Sequence, residues 1–377
     1  MDRMRLARFI LTTDRFTRGE KVEEFERTWS KWLGAKYSLN VTSGSTANFL
    51  LVASIIDKFN VKKGNYALMP ASTWPTNVNP VIQFGLNPIF CDINLRDFSF
   101  DIESLEGISS QYDIRMVFVT HLLGYAAANH CYRKIFPDAI IIDDVCEAHG
   151  CLSFPDGKKV GADSLGATFS FYFGHHMSTI EGGMISTCDE ELYDLMKMKG
   201  AHGMSRHSKN ADFYALQHPD IDRQFLFPTD GYNFRSNELM AVLGLSQLKR
   251  LDESIAIRRS NYARFCNLLE KYESYFYPLD SAPGNSSFCL PFVCKTRTVR
   301  NRLVSLFAAY GIEYRPIVGG NLLRQPYLTG YKLSRPVGKE QEKSNVDILH
   351  DNGLYIGNNQ FVGNSEFKLL ENLLDLL

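Results

Sequence analysis

Short apolar runs alternate with longer amphipathic stretches from the N-terminus to about residue 200. Residues 20–33 place Val22, Phe25, Trp29, Trp32 and Leu33 on one helical face, and Gly34 comes next as a stop. Strand patterns occupy 36–41, 66–70, 87–92, 115–120 and 139–143, with a helical run over 49–56. Ala167 to Tyr172 is again β-rich. This alternation predicts an α/β architecture, a mostly parallel central sheet with helices on both faces. Residues 203–230 are polar and predict a long loop, of the kind that is often functional. The stretch 231–238 then leads into a helix with Leu239, Val242 and Leu243 at helical spacing. The helical, Arg- and Lys-rich region 236–272 holds the expected hinge between a large domain, 1–250, and a smaller α+β domain, 251–377. The latter reads as a strand (288–293), a helix (299–310), the stretch 312–321 and an amphipathic helix (367–377).

Composition narrows the classes. With 377 residues, 45% hydrophobic and 22% charged, a large core is available. A formal net charge of -1 gives no basic field for nucleic acid. No apolar run reaches the ~18 residues of a membrane span, and the charge-interrupted N-terminus is a poor signal peptide. A cytoplasmic location is the expectation. The eight cysteines (91, 131, 146, 151, 188, 266, 289 and 294) stand mostly singly and without CxxC spacing, so reduced thiols and no structural metal are expected.

Four stretches carry candidate chemistry. Thr42-Ser43-Gly44-Ser45-Thr46 opens a helix with small and hydroxyl residues, which leaves backbone N–H groups for an anion; the same residues also cap ordinary helices. Trp74 sits in a loop just past a strand, as a stacking platform or as packing. Asp143 and Asp144 end a buried strand, where a carboxylate needs a cationic partner, from a ligand or from an Arg. The segment Ser170-Phe-Tyr-Phe-Gly-His175-His176-Met-Ser-Thr-Ile-Glu181-Gly182-Gly183 ends a strand on two imidazoles, either a site or a surface turn. Ligands gather at such strand ends in open α/β sheets.

In their order and spacing, VTSGSTAN, PASTW, IIDDVCEAHG, SFYFGHHMSTIEGG, GYNFRSNE and EYRPIVGGN resemble the fold type I pyridoxal-phosphate enzymes, specifically the DegT-type sugar aminotransferases. The resemblance runs from about residue 17 to the C-terminus. It implies a three-layer sandwich and a pyridoxal 5'-phosphate or pyridoxamine 5'-phosphate cofactor. Gly44, Ser45 and Ser170 would hold its phosphate, Trp74 would stack on the pyridine ring, and Asp144 would pair with the ring nitrogen. Glu147 stands where these enzymes usually carry Gln, near the ring hydroxyl. Asn233 would reach the phosphate of a neighbouring subunit, implying a homodimer with shared active sites. His202, Arg206, Arg235 and Arg315 are candidate substrate contacts; for the first two a solvated loop, and for the last two a surface ion pair, are the alternatives.

One departure sets the functional expectation. The residue five after Ser170 is lysine in the aminotransferases and tethers the cofactor; here it is His175, and no lysine lies between 160 and 196. An imidazole cannot form that link. The His-His-Met turn resembles the branch that removes a sugar hydroxyl, the nucleotide-sugar 3-dehydratases. That branch implies a lyase with His175 as general base, a nucleotide-linked 4-keto sugar as substrate, and L-glutamate restoring the amine form of the cofactor. A CxC element marks a related branch fed by an iron–sulfur cluster, and this chain has none. An aminotransferase that tolerates His, and a non-catalytic binding homologue, are the competing readings.

Overall fold

The computed structural model describes residues 2–127, 129–331 and 344–377. Ten strands appear in chain order: β1 (Tyr37–Val41), β2 (Tyr66–Pro70), β3 (Asn87–Cys91), β4 (Ile114–Thr120), β5 (Ile140–Asp144), β6 (Ala167–Ser170), β7 (Gly183–Thr187), β8 (Cys289–Val293), β9 (Tyr314–Pro316) and β10 (Gly353–Gly357). They form a seven-stranded, mostly parallel sheet in the order β1-β7-β6-β5-β4-β2-β3 and a three-stranded sheet in the order β8-β10-β9. The expected α/β class is therefore present, and each expected strand lies within one or two residues of its place. Among the described residues no helix is long and apolar enough to cross a membrane. No His, Cys, Asp or Glu cluster among them could hold a metal ion. All eight cysteines are free thiols.

The chain packs as two compact units. The first comprises Met1–Lys63, Ile142–Cys146 and Gly161–Leu251. Its helix Glu20–Leu33 buries Val22, Phe25, Trp29 and Leu33, and Gly34 ends it in the left-handed conformation, donating its N–H to the Ser30 carbonyl at 2.8 Å. Trp29 packs edge-on against Phe169 and Phe171, each ring 5.0 Å away, and its indole N–H reaches Ser186 Oγ at 3.2 Å. A big aromatic is thus buried with its polar end satisfied. β7 runs antiparallel between β1 and β6.

Buried charges tie this unit together. Glu26 takes a bidentate pair from Arg18 (2.9 and 3.0 Å) and the Asn40 N–H at 2.8 Å, while burial pushes its carboxyl up. Glu238, 4% exposed, accepts the N–H groups of Gly19, Lys21 and Val22 at 2.9 to 3.0 Å. A carboxylate from a distant helix therefore satisfies the open donors at the start of helix Glu20–Leu33.

Residues 203–230 are more ordered than a loop. They hold 3-10 turns at Ser205–His207 and Arg223–Phe225 and an α-helix at Ala211–Gln217. That helix buries none of its residues, so it lacks the inward apolar stripe by which a helix is recognised in sequence. A further helix, Asp2–Thr12, also buries none. It is held by Asp2, whose carboxylate accepts from Ser246, Gln247 and Arg250. In the turn Ser205–His207, the buried Nε2 of His207 has no hydrogen-bond partner among the described residues. Burial, then the positive charges of Arg206, Arg18, Arg235 and Lys197, push this imidazole from 6.5 down to about 4.

The second unit comprises Gly64–Ile141, Glu147–Val160 and Asp252–Leu377. β2 runs parallel to both β3 and β4. Leu68, Ile89, Phe100, Val117 and Tyr132 form part of its core. β10 is antiparallel to β8 and β9. Asp92, just past β3, accepts the N–H groups of Asn345 and Val346 at 2.9 and 2.8 Å and so caps helix Asn345–Asn352 together with Ser344.

Glu238→Ala leaves three backbone donors without their acceptor. It is expected to cost about 2–4 kcal/mol in urea unfolding, against which a surface Glu→Ala serves as reference. For His207 the folded value lies below the ordinary one, so the unfolded chain takes up the proton first. The stability it contributes is complete above about 6.5 and is lost as pH falls toward about 4. His207→Gln is expected to flatten the urea stability profile over that window, by about 1 kcal/mol once solvent screening of the partly exposed ring is allowed for.

Candidate functional site

In the first unit one row of residues crosses three strands: Val41 of β1 pairs with Gly183 of β7, which pairs with Ser170 of β6. Arg235 extends the row by a bridge to Val41. β1 and β6 both end on this row, and helix Gly44–Lys58 starts beside it. Ser43 caps that helix, accepting the Thr46 N–H at 3.1 Å while Thr46 Oγ1 takes the Ser43 N–H at 3.0 Å. The approach is closer than any side chain allows: a Cβ on Gly44 would lie 2.7 Å from Ser170 Cβ, and one on Gly183 would lie 2.2 Å from the Ser43 carbonyl oxygen. Ser45 is exposed in the first turn. The free N–H groups of a helix start, two hydroxyls and a glycine without side chain make a cup of the kind that takes a phosphate.

Asp144 ends β5 and is 5% exposed. Its carboxylate accepts from Asn48 Nδ2 at 3.2 Å and from the Cys146 N–H at 2.9 Å. Both donors are neutral, and among the described residues Asp144 makes no ion pair. A buried carboxylate without a cation suits a protonated ligand nitrogen. These two features, the glycine-lined cup and the uncompensated Asp144, fit a pyridoxal-type cofactor.

After Ser170 the chain turns through Phe171 to Gly182. The neck is closed by Phe171 N–H to Gly182 O and Thr179 N–H to Phe171 O, both 2.9 Å. His175 is partly exposed on this turn, its N–H bonded to Tyr172 O at 3.1 Å, with the Tyr172 ring 6.5 Å from the imidazole. His176 is buried. The next lysines in sequence are engaged elsewhere: Lys197 with Asp194 at 3.3 Å, Lys199 with Asp57 at 2.5 Å.

Asn233, Arg235 and His202 come together. Arg235 Nε donates to Asn233 Oδ1 at 2.9 Å, and its Nη2 lies 3.2 Å from His202 Nε2. Asn233, Arg235 and Arg206 line an open cavity of about 780 Å³ that also takes in Arg15, Arg18 and His207. Four guanidinium groups line it; with Arg18 paired to Glu26, three remain against the two carboxylates Glu20 and Glu23. The pocket chemistry therefore favours an anion. Arg15, Arg18 and His207 are not among the residues that the sequence singles out. The one local signal is a pair of arginines just ahead of an amphipathic helix, which by itself reads as a charged flank.

The second unit holds the remaining candidates. Trp74 is 55% exposed, at the N-cap position of helix Pro75–Gln83. Glu147 Oε2 accepts the N–H of Leu123, a residue in the left-handed region at φ 54°. Arg315, on β9, is ion-paired to Glu313 at 2.5 Å and both side chains are exposed.

Known proteins share this arrangement of elements. The model of the DegT/DnrJ/EryC1/StrS aminotransferase family matches residues 2–345. The chain is 34% identical to a GDP-4-keto-6-deoxy-D-mannose 3-dehydratase of Escherichia coli O55:H7 (strain CB9615 / EPEC), over 97% of this chain and 94% of that one. It is 32% identical to the enzyme of the same name from Yersinia pseudotuberculosis, over 97% and 93%. Among solved structures, a mutant GDP-4-keto-6-deoxymannose-3-dehydratase with bound GDP-perosamine superposes with a TM-score of 0.88 at 32% identity, covering 99% of this chain and 97% of that one. The E. coli GDP-4-keto-6-deoxy-D-mannose-3-dehydratase with bound hydrated PLP gives 0.87 at 31%, covering 99% and 96%. Fold, motif order and near-complete coverage agree: the chain belongs to the DegT/DnrJ/EryC1/StrS aminotransferase family, with the fold of the type I pyridoxal-phosphate enzymes.

Proposed function

We propose that the protein is a pyridoxamine-phosphate-dependent 3-dehydratase of a nucleotide-linked 4-keto-6-deoxyhexose, acting in deoxysugar synthesis for surface glycans such as O-antigen. L-Glutamate restores the amine form of the cofactor. GDP is the nucleotide suggested by the E. coli and Yersinia relatives. The observation that carries the reading is His175 on the turn five residues past Ser170, with Lys197 and Lys199 both held in ion pairs.

When bound, the cofactor supplies an electron sink that lets a proton leave carbon and a neighbouring hydroxyl depart. The residues do the rest. Gly44, Ser45 and Ser170 bind the phosphate, and Asp144 keeps the proton on the pyridine nitrogen. Trp74 covers the ring face, and Glu147 stands near the ring hydroxyl while bracing the Leu123 turn. His175 takes a proton from the methylene carbon and returns it at the oxygen leaving carbon 3. An ordinary imidazole titrates near ~6.5, which suits reversible transfer around neutrality. Asn233 serves the phosphate of a second copy, so the active unit is a homodimer. Arg206 and Arg235, with Arg15 and Arg18 on the same cavity, meet the nucleotide diphosphate, and His202 lines the sugar side. Arg315, ion-paired to Glu313, is the remaining candidate for a substrate contact.

An aminotransferase is the alternative reading. It draws on relatives such as the GDP-perosamine synthase of Caulobacter vibrioides (strain ATCC 19089 / CIP 103742 / CB 15), 27% identical over 82% of this chain. The products separate the two: with pyridoxal phosphate, glutamate and a panel of GDP-, CDP- and dTDP-linked 4-keto-6-deoxy sugars, dehydration releases ammonia and a 3-deoxy-4-keto sugar. An amino sugar without ammonia would overturn the proposal. A chain that neither binds pyridoxal phosphate nor turns over would point to a binding homologue. His175→Lys is expected to attach pyridoxal phosphate covalently, as borohydride-fixed label in mass spectrometry, and to lower dehydration at least ~10³-fold, the scale of losing a positioned base. Asp144→Asn is expected to weaken cofactor retention on dialysis and to cut turnover by about 10²-fold or more, measured as ammonia release.

A further inference from the structure

The segment that carries Asn233 and Arg235 is fastened to the end of helix Glu190–Lys199. Tyr232 N–H donates to Lys199 O at 2.6 Å, Phe234 N–H to Gly200 O at 3.0 Å, and His202 N–H to Tyr232 O at 2.7 Å. Asn233 bridges to Ala201. The two strands of chain touch where only glycine fits: a Cβ on Gly231 would lie 2.2 Å from the Gly203 nitrogen. His202 is held here at φ 68°, in the left-handed region, which is costly for a residue with a side chain.

At the head of this ladder sits one buried ammonium. The Lys199 side chain is 2% exposed, and it pairs with Asp57 of helix Gly44–Lys58 at 2.5 Å and with Asp230, which immediately precedes Gly231. The two carboxylates are themselves exposed, at 44% and 73%. The buried ammonium holds both carboxylates by charge-assisted hydrogen bonds, and Asp57 alone would still balance its charge. Asp230 is therefore fixed, and with it the register in which Tyr232 to Arg235 enter the ladder. No other ion pair among those described involves residues 230–235.

We propose that Lys199 is a positioning residue which, through Asp230, holds Asn233, Arg235 and His202 in the geometry that receives an anionic group, the cofactor phosphate or the nucleotide diphosphate. The inference rests on the proposed function of that site. The direction of the effect separates positioning from charge. Removing the negative charge of Asp230 near a cationic cavity would by Coulomb's law alone tighten anion binding. Loss of positioning weakens it, since catalytic constellations tolerate displacements of only about 0.5 Å.

The test uses full-length protein and the exposed partner, because Lys199→Met risks the fold. Asp230→Asn is expected to raise the dissociation constants for pyridoxal phosphate and for GDP about tenfold, with the urea midpoint close to that of the parent chain. Asp230→Glu is expected to restore both to within about threefold. Tighter or unchanged binding in Asp230→Asn overturns the inference. So does a loss of affinity that tracks a loss of stability, or a failure of Asp230→Glu to restore it. Arg235→Ala and Asn233→Ala distinguish the levels. If they weaken binding while Asp230→Asn does not, positioning fails alone; if they too leave both ligands unaffected, the site reading itself falls.

Discussion

The close approach of a helix start to the end of a sheet is the constraint on which the site depends. Gly183 lies in the middle of a three-strand row, and its missing side chain lets the Ser43 carbonyl come down onto β7. Gly44 does the same against Ser170. Asn40 locks the row by donating to Gly183 O at 2.7 Å. With backbone pressed to backbone, the first-turn N–H groups of helix Gly44–Lys58 and the Ser170 hydroxyl converge on one small volume. A methyl group at either glycine would displace what the anion cup is made of.

Around this cup the charges of the first unit divide into two kinds. Glu26 is answered by Arg18, Glu238 by three backbone donors, and Lys199 by two carboxylates. These close locally and hold segments distant in sequence. Asp144 is as buried as Glu238 and receives fewer donors: Asn48 and the Cys146 N–H, against three backbone N–H groups. A buried carboxylate with two neutral donors keeps room for a cation from outside. The open cluster of Arg15, Arg206 and Arg235, beside the Glu26-paired Arg18, shows the opposite imbalance, a surplus of positive charge.

Much of this is legible in the sequence, for reasons that also mark where legibility stops. Strands such as Ile140–Asp144 announce themselves because both faces are buried and three consecutive isoleucines open the run. The helical run 49–56 begins, in the structure, at Gly44. Its start is legible from the hydroxyl residues Thr42, Ser43, Ser45 and Thr46, and its capping box uses Thr46 where Glu or Gln is usual. The helix Ala211–Gln217 reads as loop in sequence because Phe213 and Leu216, 56% and 81% exposed, lie on its outside. Gly44, Asp144, Ser170 and His175 are readable as motif positions, each close to a strand end. The pairs His202–Arg235 and Lys199–Asp230 join residues about thirty apart and leave no local pattern, and Glu238 caps a helix more than two hundred residues away. Arg315 carries two readings in sequence, and its pairing with Glu313 is a fact of the fold alone.

A histidine in the tether position also changes what the surrounding groups are asked to do. Where a lysine links the cofactor covalently, a weakened phosphate cup or ring partner is partly masked by that bond. On the proposed reading nothing masks it here: retention depends on non-covalent contacts alone, from the glycine-lined cup, Asp144, Trp74, Glu147 and Asn233. Every interaction they lose appears directly in the dissociation constant, about tenfold for each ~1.4 kcal/mol. The imidazole suits its own task for a related reason. It has two side-chain torsions where lysine has four, and its turn is closed at the neck by two backbone hydrogen bonds. A short, rigid group on a closed turn presents its nitrogen at a defined place, as proton transfer within hydrogen-bond reach requires. On that reading the exchange of one side chain moves the burden of holding the cofactor onto the cup and the buried carboxylate.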